Sequence, residues 1–204
     1  MNLDITNLNS MLIDVFKEIG NIGSGNAATA LASMINKKID MKVPTVNILE
    51  FKNVDEILGG AERLVVGVYF EMSGDIVGNL LLVFGLDSAK NLVDMLFNRE
   101  SQYRELDSMD LSALSEVGNI LAASYVNSLN MMTNFEIKIS VPSISIDMAA
   151  AILSVPAVQF SQIGDNVLFI ETEFFEDNRS VSGDLFLIPE IESYKKVLKK
   201  LGVS

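Results

Sequence analysis

Apolar Leu12, Val15, Phe16, Ile19 and Ile22 recur at the spacing of one helix face. That pattern predicts a long helix from about Asn7 to Lys37. A second stripe, Leu114, Val117, Ile120 and Leu121, predicts another long helix starting near Asp110 as its N-cap. Elsewhere the period shortens to two. "VPTVNILEF" and "SVPSISI" alternate like half-buried strands, and "RLVVGVYFEM", "NVLFIETEFF", "DIVGNLLLVFG" and "GDLFLI" read as further strands. Short helices are expected at Ser88 to Phe97 and Glu192 to Leu201. Runs of strands between helices point to an α+β fold with a mainly antiparallel sheet.

The pattern occurs twice. Placing Glu18 on Glu116 aligns Gly20 with Gly118, Asn21 with Asn119, Ile22 with Ile120 and Pro44 with Pro142, without a gap. Further on, "SGDIVGNLLLVFG" resembles "SGDLFLIPE", with Gly74-Asp75 over Gly183-Asp184, and "SAKNLVDMLF" resembles "SYKKVLKKL". The chain reads as a single domain, 1–204, built from internal repeats of about 1–104 and 105–204. The polar "NRESQYRELDSMD" forms the linker. Two such units most simply share one sheet about a pseudo-twofold axis, with both long helices on one face. The second unit carries an extra stretch, "IDMAAAILS", with no clear equivalent in the first. It reads as a short helix, either packed into the core or docking a partner with Asp147 at its head.

At 100° per residue, Asp14, Glu18 and Asn21 fall within an arc of about 60°, opposite Leu12, Phe16 and Ile19. Ser112, Glu116 and Asn119 repeat the arrangement. Each long helix thus shows a carboxylate and a carboxamide, one turn apart, on its outer face. Pro44 and Pro142 read as strand-edge punctuation. Gly20 and Gly118 suit close packing. A Glu and an Asn on an outer face have no such structural reason to recur. "GNIGSGN" is not a phosphate loop, because no strand precedes it and no Lys-Ser/Thr follows.

Composition narrows the chemistry. With neither cysteine nor histidine among its 204 residues, the chain can build no disulfide, thiolate metal site, cysteine nucleophile or histidine-based triad. A formal charge of −12 disfavours nucleic acid and anionic membranes as partners. The N-terminus lacks a signal peptide, and no apolar run is fit to span a bilayer. A soluble cytoplasmic protein is expected.

Asp14-x-x-x-Glu18-x-x-Asn21 followed downstream by Pro44, and Ser112-x-x-x-Glu116-x-x-Asn119 with Pro142, together resemble the signature of the CheC/CheX/FliY family of response-regulator phosphatases. The resemblance covers almost the whole chain. It implies a pseudo-symmetric fold in which two long helices present the sites. It also implies hydrolysis of the aspartyl phosphate of CheY, the chemotaxis response regulator. Asn21 and Asn119 would orient the attacking water, and Glu18 and Glu116 would grip the receiver's lysine. Asp14 and Ser112 would make rim contacts. The chain would need no cofactor of its own, the Mg²⁺ belonging to the receiver. CheD, a receptor-modifying deamidase, is an implied partner, with Asp147 at the docking element. The other reading is a non-catalytic adaptor that binds CheD or the flagellar switch.

Overall fold

The computed structural model describes residues 5–43, 45–100, 104–159, 166–176 and 179–202. The first long helix, α1, spans Ile5–Ile35. Strands β1 (Asp40–Lys42) and β2 (Val46–Glu50) follow, then a 3-10 turn, Phe51–Asn53, and a short helix α2 (Val54–Ile57). The hairpin of β3 (Leu64–Gly74) and β4 (Gly78–Gly85) leads into α3 (Leu86–Phe97). The order then recurs: α4 (Ser108–Thr133), β5 (Ile137–Ile139), β6 (Ser143–Met148), α5 (Ala149–Gln159), β7 (Asn166–Glu176), β8 (Arg179–Pro189) and α6 (Ile191–Lys200).

Among the described residues, the eight strands join one curled antiparallel sheet in the order β1-β7-β8-β4-β3-β5, with β2 also on β7 and β6 also on β3. β4 and β8 pair at the centre, Leu81 opposite Phe186. The flanks are exchanged. β1 and β2 pair with β7, and β5 and β6 pair with β3, so each half of the chain completes the sheet of the other.

The two faces of the sheet carry separate cores. Phe70, Phe84, Phe174, Leu80 and Leu82 pack beneath α1, α3, α4 and α6. Val65, Leu81, Val83, Phe169 and Phe186 pack beneath α2 and α5. Alternation along each strand produces this division, and β4, apolar on both faces, is buried from Gly78 to Phe84. Both long helices therefore lie on one face, as the sequence predicts. They stop alike, at Asn36 and Asn134, which adopt the left-handed conformation with φ of 53° and 55°.

Several expectations need correcting. "IDMAAAILS" does have a counterpart, because the turn at Phe51–Asn53 and α2 occupy the same place after β2 that α5 occupies after β6. Val54 and Leu58 are buried there in one cluster with Ala149 and Ile152. Gly74-Asp75 and Gly183-Asp184 are not equivalent. Gly74 ends β3 with φ of 103°, whereas Asp184 lies within β8, opposite Val83 and Glu171. The shared "SGD" is a coincidence of letters between a turn and a strand. The N-cap of α4 is Asp107, not Asp110. Pro44 lies outside the described residues. Pro142 lies in the short link between β5 and β6.

Candidate functional site

α1 and α4 pack directly on each other. Gly23 of α1 lies so close to Tyr125 of α4 that a Cβ would stand 2.7 Å from its ring. Phe16 and Ile19 share an apolar cavity of about 20 Å³ with Val126 and Leu129. The two helices thus cross antiparallel. Each also packs closely through its glycine, Gly118 onto β3 and Gly20 onto the link between β1 and β2. A Cβ on Gly20 would meet Val43 at 3.2 Å, and one on Gly118 would meet Val68 at 2.8 Å.

These contacts decide which side chains face outward. Phe16, Ile19 and Gly20 are buried on α1, and Val117, Gly118 and Leu121 on α4. Asp14, Glu18 and Asn21 are left exposed, as are Ser112 and Glu116, while Asn119 is half-buried. Among the described residues, no side-chain hydrogen bond or ion pair engages Asp14, Glu18, Asn21, Glu116 or Asn119. The Ser112 hydroxyl, by contrast, donates to the Ser108 carbonyl at 2.9 Å. The Asn21 main-chain carbonyl accepts from the Ser24 hydroxyl at 3.0 Å, a bond that does not involve the side-chain carboxamide.

The antiparallel crossing keeps the stripes apart. Asn21 lies near the level of Tyr125 rather than of Asn119, about two helical turns away. Each Glu–Asn pair therefore stands apart from the other on the outer face. A carboxylate and a carboxamide held on a rigid helix can accept from a cation and orient a water on a partner's surface. Among the described residues, no group of three or more His, Cys, Asp or Glu lies close enough to hold a metal ion. No helix among those residues is long and apolar enough to cross a membrane.

Asp147 is exposed, but it belongs to β6 rather than to a helix. It faces Val65 across the ladder, and its Oδ1 accepts from the Met148 N–H at 2.8 Å. The stretch after it is core: Ala149, Ile152 and Leu153 are buried.

Two charged clusters escaped the sequence reading. At the start of α4, Asp107 Oδ1 accepts from the N–H groups of Met109 (2.8 Å) and Asp110 (2.9 Å), and Asp110 Oδ2 accepts from the Asp107 N–H (3.0 Å). Asp110 is fully buried and paired with both Arg99 (2.8 Å) and Arg104, and Arg104 also reaches Asp94 at 2.9 Å. Burial pushes its carboxyl up, but hydrogen bonds from Arg104, the Asp107 N–H and Arg99 hold it below the usual carboxylate range. The second cluster is Asp184 opposite Glu171 on neighbouring strands. Burial, and then the Glu171 charge, raise the Asp184 carboxyl to about 6, against the opposing effect of Arg63. Neither cluster includes a residue of the two stripes.

A model of the CheC-like family matches residues 11–48 and 109–146, one stretch on each long helix and the strands after it. The chain is 33% identical over 197 residues to the CheY-P phosphatase CheC of Bacillus subtilis, covering 94% of each chain. It is 26% identical over 145 residues to the flagellar motor switch phosphatase FliY of the same organism, covering 70% of this chain and 38% of that one. Its fold is similar to the crystal structure of Thermotoga maritima FliY, with a TM-score of 0.74 and 27% identity over 93% of this chain and 95% of that one.

Proposed function

The chain belongs to the CheC-like family, and from that membership we propose that its two Glu–Asn stripes are separate sites for hydrolysing the aspartyl phosphate of a CheY-type receiver. At the coarser level the chain is a CheY-phosphate phosphatase of that family. The observation that supports assigning the work to the stripes is their idleness within the fold. Glu18 and Asn21, and again Glu116 and Asn119, sit one turn apart on rigid helices with no intramolecular partner among the described residues. Polar groups held this way are prepared for a partner.

An acyl phosphate on a receiver is already activated, and the receiver supplies Mg²⁺ to neutralise its charge. What it lacks is a water fixed for in-line attack. The carboxamide of Asn21 or Asn119 accepts from that water and donates to its oxygen, holding it opposite the leaving carboxylate. The carboxylate of Glu18 or Glu116 takes a charge-assisted hydrogen bond from the receiver's active-site lysine and sets the register. Asp14 makes a rim contact as an acceptor. Ser112, whose proton is committed to Ser108, does so through its lone pairs. No general base is required, which suits a chain without histidine. The matched stretches 11–48 and 109–146 support an origin by internal duplication, with each unit bringing its own site. A receiver substrate also places the reaction in the cytoplasm.

Phosphate release from a phosphorylated CheY-type receiver tests this reading. Changing Glu18, Asn21, Glu116 and Asn119 to Ala together is expected to slow release by about a hundredfold, the usual cost of losing positioned polar groups. Either pair alone is expected to leave part of the activity. A quadruple variant as fast as the intact chain would end the catalytic assignment. We further propose that a CheD-type deamidase docks at Asp147, which is exposed at the end of an edge strand. Asp147→Lys is expected to weaken capture of CheD, and undiminished capture would remove that residue from the interface.

A further inference from the structure

The first stripe contains a residue that the mechanism above does not use. Lys17 lies one turn after Asp14 and one turn before Asn21, and it is exposed. Among the described residues its ammonium makes no hydrogen bond or ion pair, despite carboxylates on either side in Asp14 and Glu18. Other basic groups at the helix ends are committed. Lys37 is held by Glu176, Arg99 by Asp110, and Arg104 by Asp94 and Asp110. The corresponding position of the second stripe is Ser115, neutral and half-buried.

The substrate proposed for both stripes is an anion, and this chain carries a net charge of −12. Approach of a phosphorylated receiver is therefore opposed by the field of the whole molecule. Residues four apart on a helix have Cβ atoms about 6 Å apart, so an ammonium on a long stem can reach the surface that Asn21 touches. The second stripe offers only the negative Glu116 with neutral Ser112 and Ser115 beside it. We infer that Lys17 is a positioning residue that draws the phosphorylated receiver to the first stripe, and that the two stripes therefore engage the same substrate by different chemistry. The first relies on a charge of opposite sign to the phosphoryl group, whereas the second has no such charge. This inference rests on the two-stripe reading of the function. Lys17 acts on encounter and ground-state binding, so its loss changes KM and leaves kcat in place.

The test isolates the first stripe by using the full-length Asn119→Ala enzyme and a phosphorylated CheY-type receiver. In that background Lys17→Gln is expected to raise KM roughly threefold at low ionic strength, with kcat unchanged, as for a charge at the rim of an interface. The difference is expected to shrink as salt approaches about 0.5 M, where screening shortens to a few ångströms. Lys17→Arg restores KM, because it keeps the charge. In the reciprocal Asn21→Ala enzyme, which has only the second stripe, Lys17→Gln changes nothing. An Asn119→Ala enzyme with no activity would sink the two-stripe reading and this inference with it. An active Asn119→Ala enzyme whose KM ignores Lys17→Gln, or which loses kcat equally at every salt concentration, would sink only the inference.

Discussion

Asp184 and Glu171 face each other from neighbouring strands, on the side of the sheet that α2 and α5 cover. Burial, and after it the neighbouring Glu171 charge, push the Asp184 carboxyl up to about 6, with Arg63 opposing. The sign of the consequence follows from linkage. The folded chain holds this proton more tightly than the unfolded chain does, so the group favours folding below the ordinary aspartate range. That contribution is lost as pH rises from about 4 to about 6. Asp184→Asn is therefore expected to stabilise the fold by about 2 kcal/mol at pH 8 and by little at pH 4, measured by urea unfolding at both. Equal effects at the two pH values would show that the carboxylate is not strained. The pair was illegible in the sequence, since its members are distant along the chain and meet only through the β7–β8 register. Glu18 and Asn21 were legible because helical spacing relates them to each other and to their buried neighbours without reference to any other element.

Among the elements, α4 shows how far local reading reaches. Its apolar period places the helix well, and Asp110 is indeed an acidic residue of its first turn. Periodicity cannot distinguish an N-cap from the N3 partner of a capping box, because both favour Asp. The distinction comes from burial. Asp110 lies inward, where an ionised carboxylate survives only with Arg99 and Arg104 around it. The stretch read as a linker is thus partly an anchor for the helix that carries Glu116 and Asn119. Arg104→Ala is expected to destabilise the protein by about 3 kcal/mol at pH 7, the usual cost of stripping a partner from a buried charge. The deficit narrows as pH falls through the depressed pKa of Asp110, because protonation removes the charge that needed pairing. Thermal unfolding across that range checks both parts.

For the molecule as a whole, the exchange of edge strands matters most. A cut near residue 104 separates β1 and β2 from β7, and β5 and β6 from β3. It also divides the central β4–β8 ladder and the α1–α4 contact. Residues 1–104 and 105–204 expressed separately are expected to show no cooperative unfolding transition, whereas the intact chain unfolds in one step. Independent folding of either half by circular dichroism and thermal melting would contradict the interlocked sheet. The repeated order of elements, the strands and both Glu–Asn stripes could be read in advance, because periods of 3.6 and 2 are properties of neighbouring residues. Which strand lies beside which could not. Backbone ladders are chemically alike, so an apolar strand from either half satisfies the same edge. The choice is made by two cores closing at once over both faces of the sheet. That closure joins the halves, buries Asp110 among its arginines, sets Asp184 against Glu171, and turns the Glu–Asn stripes outward.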